Sequence, residues 1–209
     1  MSSMGRNDDN KKGIVLFGGT FNPIHQGHIR LCCSAWNAVH PRLVILMPTQ
    51  PFYKELDTDA AQRIEMCQKA AEDLPFPVAV DGYEIQQGST CRTYDTLCVM
   101  KEKFPDDPLY LLMGSDTFLS FSYWYRWQEC GRMASLLVGM RKGDDREQIE
   151  MVKCRMEQEG LTVKLMDHQA DAISSHDIRQ HQEKQKDELA PAVYAYIREH
   201  HLYGNDGER

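Results

Sequence analysis

The chain has no apolar run approaching the roughly 18 residues of a membrane span, and its first twelve residues, MSSMGRNDDNKK, lack the apolar core of a secretory signal. These absences point to a cytoplasmic protein with no membrane partner and a polar, disordered tail over residues 1–12. Excess positive charge is missing too. Lys and Arg number 24 against 31 Asp and Glu, a formal charge of −7, so a general binder of nucleic-acid polymers, which carries a basic face, is excluded. Any phosphate site must then be a local positive pocket. No cysteine pair has C-x-x-C spacing, and the seven cysteines (Cys32, Cys33, Cys67, Cys91, Cys98, Cys130, Cys154) are odd in number and scattered. They read as free thiols, some filling the core. G-x-G-x-x-G and G-x-x-x-x-G-K-[ST] are absent, which removes the dinucleotide fingerprint and the P-loop. There are no internal repeats and no linker long enough to separate domains. With 209 residues, 42% hydrophobic and 26% charged, the chain suits one α/β domain with a full core.

What is present centres on residues 13–28, GIVLFGGTFNPIHQGH. Residues 14–17 are short, uninterrupted and β-favouring, a strand buried on both faces. Gly18 and Gly19 let a ligand approach the backbone, and Asn22-Pro23 re-aims the chain as a turn. From Gly27 to about Val39 the pattern becomes helical. The amides at the start of that helix offer an anion site, and His25 and His28 flank it, well placed to hold a phosphate. Half of a metal site is the other use of two such histidines. No second half with ligand spacing accompanies them, so no protein-held metal is expected.

Residues 42–47 form another apolar run ended by Pro48, so strand, helix and strand make a βαβ unit with a parallel pair. Residues 48–57 are a loop carrying Lys54. Thr58 is the expected N-cap of a helix to about Asp73, with Ile64, Cys67, Ala71 and Leu74 on the buried stripe and Arg63 and Met66 to either side. Further strands are expected at 76–80, 108–113, 134–139 and 161–166, with helices at 93–104 and 144–159 and from Pro191. The fourth strand ends in Gly114-Ser115-Asp116, where ligands of open α/β sheets bind. The aromatic residues between Phe118 and Trp127 read by composition as core. The fold class is α/β: a Rossmann-like open, mostly parallel sheet with helices on both faces, one domain over residues 13–203, and a flexible tail over 204–209.

GGTFNPIHQGH resembles the H-x-G-H signature of the nucleotidyltransferase superfamily, in the form carried by nicotinate-nucleotide adenylyltransferases. The resemblance runs over about residues 13–203. Pro51-x-x-Lys54 and Arg63-x-x-Met66 fit the family's loop lysine and helix arginine. Thr93-Tyr94-Asp95-Thr96-Leu97 is similar to its T-x-D-T-L, Trp124-x-x-Trp127 to its tryptophan motif, and Ile173-Ser-Ser-His-Asp-Ile-Arg179 to its I-S-S-T-x-I-R. Two positions depart from the pattern: Cys91-Arg92 stand where Ser-Tyr is usual, and His176 replaces a threonine.

The resemblance implies transfer of AMP from ATP to nicotinic acid mononucleotide, in line and without a covalent intermediate, giving deamido-NAD and pyrophosphate. It assigns Gly18, Gly19, Thr20, Phe21, Gly114, Asp116, Ser174 and Ser175 to ATP and its phosphates. His25, His28, Lys54 and Arg179 are the implied catalytic set. Thr93, Trp124, Tyr125 and Arg92 are implied for the nicotinate nucleotide, with Trp127 left to the core. Mg²⁺ is expected to arrive with ATP. Phosphopantetheine adenylyltransferase shares the first motif but not the other three, and a nucleotide-binding regulator that kept the fold is the non-enzymatic alternative. Whether the chain forms a homo-oligomer is open.

Overall fold

Ile14–Gly19 (β1) is an unbroken apolar run because both of its faces are covered. Val15 and Phe17 belong to one buried cluster, Ile14 and Leu16 to the other, the alternation a strand imposes. The computed structural model describes residues 12–51, 56–88, 91–167, 173–181 and 183–204. The expected tails fall almost wholly outside these residues, and so does Lys54.

Six strands form one sheet in the order β3-β2-β1-β4-β5-β6, every neighbouring pair parallel. The others are Leu43–Pro48 (β2), Val78–Val80 (β3), Leu109–Gly114 (β4), Ser135–Met140 (β5) and Val163–Asp167 (β6). The helices are Gln26–Val39 (α1), Ala60–Glu72 (α2), Tyr83–Gln87 (α3), Thr93–Lys103 (α4), Ser115–Leu119 (α5), Trp127–Met133 (α6), Arg146–Gln158 (α7), Ser175–Gln180 (α8) and Pro191–Glu199 (α9). Helices α1, α2, α8 and α9 bury side chains against one face of the sheet, and α4, α5, α6 and α7 against the other. Strand order reverses between β1 and β4, so a crevice opens above the carboxyl ends of those two strands. No helix of the described residues is long and apolar enough to cross a membrane.

Two details differ from expectation. Asp59, not Thr58, caps α2: its carboxylate accepts from the Gln62 amide at 2.7 Å. Thr58 is instead buried, and its hydroxyl donates to Asn22 Oδ1 at 2.7 Å. The buried face of the helix is Arg63, Met66, Cys67 and Ala70 rather than the stripe through Ile64 and Ala71. A polar residue entered the core because a set of carbonyls there needed donors. The third strand is also shorter than 76–80. Pro77 has no amide to give, and Phe76 leaves the strand to stack on Trp36, centroids 4.6 Å apart and rings nearly parallel.

The start of β1 is closely packed. A Cβ at Gly13 would lie 2.5 Å from the Pro108 carbonyl oxygen and 2.5 Å from the Tyr110 ring, and that carbonyl is already bonded to the Ile14 amide at 2.8 Å. Backbone cannot swing aside as a side-chain tip can. Gly13→Ala is therefore expected to destabilise the fold by about 1–3 kcal/mol, read as a lower midpoint in urea with an unchanged slope. An unchanged midpoint would contradict the packing.

Candidate active site

Beyond β1 the chain leaves regular structure for residues 20–25 and then enters α1. Gly18 is exposed, and a Cβ there would meet only the Thr49 methyl at 3.8 Å. At Gly19 a Cβ would come within 2.9 Å of the Phe21 ring, so this glycine lets Phe21 fold beneath the turn. Phe21 has a left-handed φ of 47° and a buried side chain, edge-on to Phe17 and to His28 at 5.4 and 5.1 Å. Only its backbone can meet a phosphate. The Thr20 carbonyl accepts from the Arg63 guanidinium at 2.8 Å.

His25 is the N-cap of α1, its backbone extended at φ −145° and ψ 173°. The rings of His25 and His28 lie 3.8 Å apart at 32°. His28 Nδ1 accepts from the His25 amide at 3.2 Å, which places the proton of the neutral ring on Nε2 and makes that nitrogen a donor. His25 is buried, and its Nδ1 has no hydrogen-bond partner among the described residues. Burial first, and the charge of Arg141 second, lower its pKa from 6.5 to about 4. Gly27 permits this arrangement, because a Cβ there would come 3.0 Å from the His25 ring.

These groups face a cavity of about 330 Å³ at the strand reversal, lined by Gly18, Gly19, His25, Gly27, His28, Gly114, Asp116, Arg141, Ser174 and Ser175 among others. Eight of the residues expected from the sequence thus converge. Gly114 allows Asp116 to turn inward, since a Cβ at 114 would lie 2.8 Å from the Asp116 carboxylate. Asp116 pairs with Arg141 at 3.7 Å. Ser174 caps α8 and accepts from the amides of His176 and Asp177 at 3.1 and 3.4 Å, which leaves its own proton to donate. The Ser175 hydroxyl donates to the Pro23 carbonyl at 3.0 Å, tying α8 to the turn before His25.

Arg179 stands elsewhere than expected. It is not a lining residue; its guanidinium donates to the carbonyls of Asn22 and Ser175 at 2.7 and 3.1 Å and pairs with Asp57 at 3.2 Å. A guanidinium so bonded braces the turn. Among the described residues the Lys or Arg that lines the cavity is Arg141, which sequence reasoning missed. Its signal was available: it directly follows β5, at the carboxyl edge of the sheet where ligands bind.

The four residues expected for the nicotinate nucleotide do not line this cavity. They lie at the start of α4 and in the segment before α6. The Tyr94 ring meets Tyr125 edge-on at 6.1 Å, and the Arg126 guanidinium lies over Tyr94 at 4.0 Å, which joins the start of α4 to the loop before α6. Arg92 is exposed and its amide donates to Asp95 at 3.1 Å. Trp124 is half-buried on Phe121, centroids 5.3 Å apart, and Trp127 meets the same ring at 6.2 Å. Tyr125 is exposed. Among the described residues no three His, Cys, Asp or Glu side chains gather in a set that could hold a metal ion.

The cavity is rich in donors: the His28 Nε2–H, a serine hydroxyl and Arg141. Among the described residues that line it there is no cysteine. Its chemistry is to hold anions in line and stabilise charge as it develops. That is the chemistry of a nucleotidyltransferase, and the chain belongs to the cytidylyltransferase-like family, whose model matches residues 16–181. Within that family, a Neisseria meningitidis serogroup B protein named "Probable nicotinate-nucleotide adenylyltransferase" is 35% identical over 201 residues, 92% of this chain and 98% of its own length. A Pectobacterium atrosepticum protein of the same name is 33% identical over 209 residues, covering 90% and 97%. The chain belongs with these nicotinate-nucleotide adenylyltransferases as a family. The Plasmodium falciparum nicotinic acid mononucleotide adenylyltransferase has the same fold: complexed with APC it superimposes with a TM-score of 0.74 at 19% identity, over 92% of this chain and 97% of that one. The same enzyme complexed with NaAD gives 0.73.

The buried His25 makes a prediction about pH. The unfolded chain titrates this group near 6.5 and the folded chain near 4, so between those values the unfolded state holds the extra proton. The contribution is complete above about pH 6.5 and is lost as pH falls toward 4, by at most about 1.4 kcal/mol per pH unit. Thermal unfolding of the wild type and of His25→Gln should therefore show wild-type Tm falling relative to the variant across that range. A constant difference would contradict a buried, neutral His25.

Proposed function

We propose that the chain transfers AMP from ATP to the 5′-phosphate of nicotinic acid mononucleotide, giving deamido-NAD and pyrophosphate in NAD biosynthesis, through a single nucleotidyltransferase domain over residues 13–203 in the cytoplasm. The observation that carries this reading is the convergence of the glycine turn, two stacked histidines, Ser174 and Arg141 on one cavity where the sheet reverses. The end-to-end likeness to relatives named for that reaction supports the choice of substrates.

The attacking group needs no general base. A phosphate monoester has a second pKa of about 6 and is mostly a dianion at neutral pH. The protein's task is to align two anions and stabilise the charge on the α-phosphate and the leaving pyrophosphate. The amides of Gly18 and Gly19 and the His28 Nε2–H donate to those oxygens, Arg141 supplies the fixed positive charge, and Ser174 adds a hydroxyl. His25, neutral at pH 7, lies against His28 and orients it. Mg²⁺ would arrive with the substrate as MgATP and would offset part of the phosphate charge. Lys54 is proposed for the β- and γ-phosphates from its motif, and Arg179 for holding the turn that carries His25. Arg92, Thr93, Trp124 and Tyr125 are proposed to receive the pyridine ring and its carboxylate, for which a guanidinium is a matched partner.

Pyrophosphate release should be measured with MgATP and, separately, nicotinic acid mononucleotide, nicotinamide mononucleotide and phosphopantetheine. The acid mononucleotide should be turned over fastest. Preference for either of the others would overturn the substrate, and release with none would indicate a nucleotide-binding regulator. His28→Ala and Arg141→Ala should each lower kcat by about 10²–10³, the usual loss for one preorganised donor. Wild-type turnover in either variant would remove that residue from the mechanism.

A further inference from the structure

The turn that carries the active-site histidine is held from the far end of the chain. Asn22, three residues before His25, is 3% exposed. Its side-chain oxygen accepts two hydroxyls, from Thr58 at 2.7 Å and from Tyr203 at 2.7 Å, while its backbone carbonyl takes the Arg179 guanidinium at 2.7 Å. Tyr203 lies beyond residue 181, where the family match ends.

We propose that Tyr203 is a positioning residue for the reaction: the C-terminal segment latches the turn of residues 20–25 through the Tyr203 hydroxyl on Asn22 and thereby sets where His25 and His28 stand. The inference rests on the proposed function for its kinetic consequence alone. Three observations carry it.

First, residues 20–25 belong to no strand or helix, so their place is set by tertiary bonds. Phe21 in particular occupies the left-handed region at φ 47°, which a bulky residue holds only when its surroundings demand it. Second, the geometry that delivers Tyr203 is itself costly. After α9 both His201 and Tyr203 are left-handed, at φ 50° and 59°, a region that non-glycine residues seldom adopt. Such a path is retained where something at its end compensates. Here Leu202 enters the core, its amide closing on the Ile197 carbonyl at 3.0 Å, and the Tyr203 ring is buried with its hydroxyl on Asn22 and the Met66 sulfur at 3.9 Å. Third, the latch shares its acceptor with Thr58 from the loop before α2. Burial raises the Tyr203 pKa, so the hydroxyl stays protonated and remains a donor throughout the working pH range.

Tyr203→Phe tests this directly, because it deletes one hydroxyl and keeps the buried ring. Amide hydrogen exchange of the full-length protein should show peptides covering residues 19–28 exchanging about tenfold faster in the variant, with the strands β4 and β5 unchanged. In the pyrophosphate assay kcat should fall about tenfold, while KM for ATP moves less than threefold. Thr58→Val should act on the same acceptor, so the double variant should lose less than the product of the two single losses. Unchanged exchange over residues 19–28 would overturn the latch, and so would faster exchange with wild-type kcat. If Tyr203→Phe lowers exchange protection everywhere, the hydroxyl is a general stabiliser and the positioning role is wrong. A wild-type protein that releases no pyrophosphate would count against the proposed function only, and the exchange measurement would still decide the latch.

Discussion

Residues 20–25 have no regular structure of their own, yet they carry the chain from the glycine turn to the two histidines. The constraint on which the site depends is the set of buried hydrogen bonds reaching this segment from outside. Arg63 holds the Thr20 carbonyl and bridges to the Thr49 carbonyl at 2.6 Å and to Gln50 at 2.7 Å. Ser175 holds Pro23, Arg179 holds the Asn22 carbonyl, and two hydroxyls hold the Asn22 side chain. A buried carbonyl left without a donor costs on the order of 1–3 kcal/mol, so these ties are mutually enforcing. Displacing the turn would orphan several groups at once.

The same logic explains a buried guanidinium in α2. Arg63 is fully shielded, and burial lowers its pKa without removing its charge, since guanidinium stays protonated in proteins. Its hydrogen bonds go to two carbonyls and an amide oxygen that belong to loops rather than to the sheet. Charge in this part of the molecule serves to order backbone. Arg141 lines the cavity, and among the described residues its guanidinium pairs with the more exposed Asp116 carboxylate at 3.7 Å. Among the described residues Arg179 has three partners and Arg141 a single loose one, a difference that residue type alone does not show.

The helices and strands were largely legible because the sheet is covered on both sides. Each strand then reads as an unbroken apolar run, and Gly, Pro and Asn mark the turns between them. Legibility failed where side chains and backbone traded hydrogen bonds across the fold. The start of α2 shifted by a residue because Thr58 was recruited by Asn22, 36 positions away. Phe21 lay within the signature yet turned into the core, since its neighbour Gly19 left room for the ring.

By itself the sequence determined the strand-turn-helix frame and the α/β class with a parallel sheet, since local periodicity and a long specific motif carry that information. Only the tertiary structure decided which cation faces the cavity. It also decided that the last ordered tyrosine meets the first active-site turn, across 181 positions. A charge or hydroxyl has no direction in a sequence. It acquires one when packing brings an acceptor within reach.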